Sequence, residues 1–255
     1  MNDYSGQYGN PSSLDVSINA GLRSFMLGVY NKMAMGLVVS AMLAYAFGTI
    51  PALTAILVDP TVFMVLRWGP LVLLLGSNFF MRNPSPTASA LLYWAVVAML
   101  GTSLAIWVMI ADQQLELSRM TGGTITSSFS TIGMAFMITA AAFAGLSLYG
   151  YTTKRNISGM HSAIVMMSWG MLPLVGIGVF WLKSSAIELG LMVVMLGIYS
   201  ALIATQTQTL KLQYASVAGD QRSQAVLTNS GALNLYIAFV SIFQILLSLM
   251  GGSRD

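Results

Sequence analysis

Apolar positions in this chain come in long blocks. Asp, Glu, Lys and Arg are absent from residues 33–58, 68–81, 83–111, 120–153, 156–182, 189–210 and 223–253. A helix crosses the hydrocarbon core with roughly 20 apolar residues. Six of these stretches reach that length, and the second does so across Arg67, which sits near one end where it can snorkel to the headgroups. The pattern predicts seven transmembrane helices, at about 31–53, 62–81, 88–110, 129–149, 163–182, 187–207 and 232–250. None of the stretches shows the period-2 alternation of a membrane barrel. Residues 1–29 are polar and rich in Gly, Ser and Asn, which predicts a flexible tail ahead of a single membrane domain at 30–255. Lys32 followed by an apolar stretch and Ala44-Tyr45-Ala46 has the outline of a signal peptide. The apolar run continues to Val58, which favours an uncleaved first helix.

Composition sharpens this reading. The chain of 255 residues has 11 basic and 8 acidic side chains, so charged residues are 7% of it, against about 25% in soluble domains. The hydrophobic class is 56%, more than a soluble fold of this size can bury. A soluble enzyme, a nucleic-acid binder and a disordered chain are excluded together. With no Cys and one His there is no disulfide, no thiolate nucleophile and no multi-His metal centre. The expectation is a protein without cofactor, metal or catalytic residues. The acids and bases fall in loops, tails or first turns, which argues against a carboxylate-driven pump and against intramembrane protease chemistry.

Arg23, Lys32, Arg82, Lys154, Arg155, Lys211 and Arg222 fall on one side of the predicted topology, and Arg67, Arg119, Lys183 and Arg254 on the other. The positive-inside rule then predicts a cytoplasmic N-terminus and an outside C-terminus. Pro51, Pro70 and Pro173 are candidate kinks. Ala140/Ala144, Ala141/Gly145 and the glycines 170, 176 and 178 suit close helix contact. On the last predicted helix Asn234, Ser241 and Ser248 recur every seven residues, with Gln244 beside them, and the sixth ends in Thr205-Gln206-Thr207-Gln208-Thr209. Such a polar stripe serves either interhelical hydrogen bonds or a water-lined path. His161 is either a titrating group beside Lys154 and Arg155 or a solvated loop histidine.

Two segments resemble the Bax-inhibitor-motif family. Leu148-Tyr149-Gly150-Tyr151-Thr152-Thr153-Lys154-Arg155-Asn156-Ile157-Ser158-Gly159-Met160 is similar to its loop after the fourth helix. Gly231-Ala232-Leu233-Asn234-Leu235-Tyr236-Ile237-Ala238-Phe239, ending in Leu249-Met250-Gly251-Gly252, is similar to its last helix. The resemblance runs from about residue 25 to 255 and implies a seven-helix bundle with the last helix central, an inner-membrane location, and a pH-sensitive calcium leak. Some bacterial relatives are instead associated with a membrane-bound ATP-dependent protease. The leak members carry two aspartates, whose positions here are Gln206 and Ala238; Arg82 stands where they have an arginine, and an acid of some relatives falls near Leu71. Two close carboxylates share a proton and supply hard oxygen ligands for calcium, whereas Gln206 offers one amide oxygen and Ala238 none. The resemblance thus implies ion homeostasis of a degenerate or ungated type, with Gln206, Gln208, Asn234 and Ser241 water-accessible and Arg82 and Gln244 near the path. The other class is a non-conducting interaction protein that modulates a protease or stress response through Lys154, Arg155 or the tail.

Overall fold

The computed structural model describes residues 11–80, 83–121, 128–177 and 185–251, and the regular elements among them are helices. They are α1 (Pro11–Thr49), α2 (Pro51–Val58), α3 (Pro60–Phe80), α4 (Pro86–Ser103), α5 (Ala105–Thr121), α6 (Ser128–Thr152), α7 (His161–Ile177), α8 (Ser185–Val217) and α9 (Gln221–Gly251), with a 3-10 turn at Ser158–Met160. Among the described residues, six stretches are long and apolar enough to cross a membrane: Ala20–Thr49, Pro60–Ser77, Pro86–Leu117, Phe129–Thr152, Ala186–Val217 and Gln221–Met250. They coincide with six of the seven predicted spans. The remaining one, predicted at 163–182, overlaps α7, and its last residues lie outside the described residues.

Prolines set several boundaries, because each removes a backbone donor and disfavours helix at the residue before it. Ile50 is extended ahead of Pro51, and Asp59 is extended ahead of Pro60. The Asp59 carboxylate then accepts from the N–H groups of Thr61 and Val62, at 2.8 and 3.2 Å, capping α3. Those bonds hold its carboxyl below the usual carboxylate range. Asp220 does the same for α9, taking the Ser223 hydroxyl and the N–H groups of Arg222 and Ser223, and its carboxyl is likewise held low. At Pro70 and Pro173 the helices continue. The span over Pro86–Leu117 is jointed instead at Leu104, whose N–H is shared by the carbonyls of Leu100 and Gly101.

The predicted tail is corrected by α1. Residues 11–29 are helical, and Leu22, Phe25, Met26 and Val29 are buried, so the first span starts well before residue 31. The polar letters misled because α1 packs one side only: Phe25 stacks on Tyr214 of α8, centroids 5.1 Å apart. Residues 1–10 of that tail lie outside the described residues.

The core lies where α9 packs against α1, α4, α6 and α8. Tyr93, Val97, Ile203, Leu235, Tyr236 and Ile242 are buried there. Of the small residues expected at contacts, Ala140 packs against the core, and Gly178 lies outside the described residues. Ala141, Ala144 and Gly145 are exposed, and beyond the local helix turn no described residue lies within 4 Å of a Cβ placed on Gly145 or Gly170. Gly150 instead lies against the Ala204 backbone of α8, leaving no room for a Cβ. We expect Gly150→Ala to cost about 1–3 kcal/mol, read as a lower thermal midpoint in detergent, with Gly145→Ala unchanged.

Candidate functional site

The segment Thr205-Gln206-Thr207-Gln208-Thr209 is helical in α8, and its threonines satisfy themselves locally. Their hydroxyls donate to the carbonyls of Ala201, Ile203 and Thr205, at 2.9, 2.8 and 2.8 Å. The two glutamines are therefore the groups left to reach outward. Residues two apart on a helix point about 200° apart, so Gln206 and Gln208 face different partners.

Gln208 holds the loop after α6. Its side-chain oxygen accepts from Ile157 N–H at 2.7 Å, and its nitrogen donates to the Arg155 carbonyl at 2.8 Å. Gln208 is thus a loop clamp rather than a water-facing group, which corrects the expectation for it. Lys211, one turn on, donates to the Tyr151 carbonyl at 3.1 Å and sits over that ring. The loop is fixed from α8, leaving Tyr149 and the side chains of Lys154 and Arg155 exposed.

Gln206 faces a cavity of about 510 Å³ lined also by Leu71, Tyr199, Asn234 and Ala238. Its residue is 6% exposed, yet its amide makes no hydrogen bond to another described residue. No fully buried side-chain N or O among the described residues lacks a partner, so the amide reaches the cavity space. Gln206 and Ala238, from different helices, are thus brought to one site, and Leu71 of α3 joins them. Asn234 faces the same space.

The rest of the predicted set disperses. Gln244 lines a different cavity of about 560 Å³, with Arg67 and Trp107, and Ser241 lines neither. Arg82 lies outside the described residues. His161 is the first residue of α7, at the loop edge, but it is not the solvated loop histidine: it is half-buried on the Gln206 cavity, with Nδ1 3.3 Å from the Thr205 hydroxyl. No Asp or Glu lines the cavity among the described residues, and those residues contain no cluster of three His, Cys, Asp or Glu. A cation there would meet no carboxylate, only amide and hydroxyl oxygens and the His161 imidazole.

A second polar constellation escaped the sequence reading. Lys32 lies inside α1, half-buried, and its ammonium donates to the side-chain oxygen of Asn229 on α9. Asn229 in turn donates to Ser89 Oγ at 2.8 Å and to the Pro86 carbonyl at 3.0 Å. Tyr93 donates to the Lys32 carbonyl at 2.7 Å, and its ring lies under the ammonium. Deeper along the same interface, the hydroxyls of Ser40 and Tyr236 are 2.6 Å apart. One signal was available: a polar Asn at 229 in a charge-free run, with Lys32 the first base before the first long apolar block.

Comparison with known proteins places these features. The chain matches the family model described as inhibitor of apoptosis-promoting Bax1 over residues 22–255. A Caulobacter vibrioides protein described as uncharacterized is 42% identical over the whole of both chains. The inner membrane protein YbhL of Escherichia coli K12 is 29% identical over 94% of this chain and 96% of its own. A Rickettsia prowazekii protein is 28% identical over 96% of each.

Proposed function

The chain belongs to the family of inhibitors of apoptosis-promoting Bax1, and from that premise we propose that it is an ion-homeostasis protein of the bacterial inner membrane whose path runs through the Gln206 cavity. The observation that carries the reading is the meeting of Gln206, Ala238 and Leu71 at one cavity. Gln206 and Ala238 are the positions where the resemblance puts the two aspartates, and it puts a further acid of some relatives near Leu71. The inner-membrane location is carried over from the name of the E. coli relative. In this reading α7 completes seven spans around a central α9, the N-terminus is cytoplasmic, the C-terminus is outside, and the protein has no catalytic step.

The chemistry follows from the side chains. Without a carboxylate pair there is no shared proton to switch with pH, and a divalent cation finds one amide oxygen where two charged groups would hold it. The leak is weak for calcium and not gated by that pair.

The chain's lack of Cys permits a direct test. Single-Cys variants at Gln206 and Asn234 should react with a water-soluble thiol reagent in native membranes, and those at Gln208 and Ser241 should be protected. Protection of both Gln206 and Asn234 would sink the permeation reading. A second reading rests on the exposed Lys154 and Arg155, held outward by Gln208 and Lys211. It is a non-conducting protein that modulates a membrane-bound ATP-dependent protease or a stress response. Its expected signature is absence of flux together with a partner lost on Lys154→Gln/Arg155→Gln.

A further inference from the structure

Away from the Gln206 cavity, α1 and α6 enclose a lipid-facing groove of about 500 Å³ that runs from Arg23 and Tyr151 to Tyr30 and Phe143. We propose that this groove binds one acyl chain of an anionic phospholipid, with the phosphate held at Arg23.

Three observations carry this. First, the walls are apolar: Leu27 and Leu148, on facing helices, are both more than half exposed and face the groove. Its floor offers an incoming chain no free polar group, because the hydroxyls of Tyr30 and Ser147 are bonded to each other and Ser147 continues to Thr207. Second, the two helices run antiparallel here. The Tyr30–Ser147 bond and the Tyr30–Phe143 ring contact fix one end, so Arg23 of α1 meets the Tyr151 end of α6. From Arg23 to Tyr30 the groove extends about 10 Å, several methylenes of an acyl chain.

Third, basic side chains gather at the Arg23 end. Arg23 lines the groove and makes no ion pair with a described residue. Lys211 is bonded to the Tyr151 carbonyl beside it, and Lys154 and Arg155 follow Tyr151 within four residues. Asp220, between α8 and α9, has its carboxylate used in capping α9. Arg23 also lies near the start of the Ala20–Thr49 span, where a headgroup would stand. A basic residue next to an anionic membrane surface favours such lipids several-fold.

The test uses the full chain in vesicles, with a bimane fluorophore on a single Cys introduced at Ala144 in the groove wall. Quenching by chain-brominated phosphatidylglycerol is compared with quenching by brominated phosphatidylcholine. The expected result is about a fivefold preference for phosphatidylglycerol, reduced to none in Arg23→Gln and retained in Arg23→Lys. A label at Val72, exposed on α3, should show no preference. Equal quenching by both lipids at Ala144 would overturn the proposal. So would a preference that survives Arg23→Gln or appears equally at Val72. Neither outcome depends on whether the protein conducts ions.

Discussion

The double variant Gln206→Asp/Ala238→Asp is expected to bring calcium flux in proteoliposomes about tenfold above wild type, with a pH dependence between about 6 and 8 that wild type lacks. The two positions lie on α8 and α9 and line the same cavity. Gln206 already presents an unpartnered amide to that space. Aspartate is slightly smaller than glutamine and larger than alanine, and the cavity of about 510 Å³ has room for both changes. Two carboxylates there supply hard anionic oxygens, and they titrate as a coupled pair. Calcium binding then weakens as protons fill the pair, so affinity falls as pH is lowered. The single variant Gln206→Asp should give a smaller gain, because one carboxylate has no partner with which to share a proton. Flux in the double variant equal to wild type at every pH would place permeation elsewhere. A silent wild type beside a leaky, pH-dependent double variant would show an intact scaffold without its ion site, and would favour the interaction reading.

Asn229→Leu is expected to be among the most destabilising single changes in the chain, by about 3 kcal/mol, seen as a lower thermal midpoint in detergent. Asn229 accepts from the Lys32 ammonium and donates to Ser89 and Pro86, tying α9 to α1 and α4 at once. A leucine fills the space but leaves a half-buried ammonium with only the Tyr93 ring beside it. The two single changes should not add. Lys32→Met in the Asn229→Leu background removes the orphaned charge and should recover most of the loss, since apolar replacement of a whole buried polar pair is near neutral. If the double variant is as unstable as the sum of the singles, the two residues do not act as a unit.

Helix content, the positions of most spans and the family resemblance were all readable without coordinates. They depend on local quantities: the length of an apolar run, the place of a proline, the letters of a motif. Gln206 and Ala238 were likewise named from motif letters. The corrections have a common cause. Ala141, Ala144 and Gly145 have the spacing of a contact face, but spacing does not say which side of a helix meets a neighbour, and here that side faces outward. Gln208 and Gln206 look alike in the sequence, yet one clamps a backbone loop and the other faces a cavity. The polar start of α1 read as tail because buried Leu22, Phe25, Met26 and Val29 are separated by Gly, Ser and Arg, and their one-sided burial needs α8 and α9 in place.

That this chain is a multi-pass helical membrane protein follows from its apolar runs alone, because a bilayer accepts only segments that satisfy their own backbone and hide few charges. Where its few polar side chains meet depends instead on how the helices pack. Each such meeting joins residues distant in the chain, Lys32 with Asn229 and Gln206 with Ala238. Their energies come from packing and desolvation between helices, which no single helix carries.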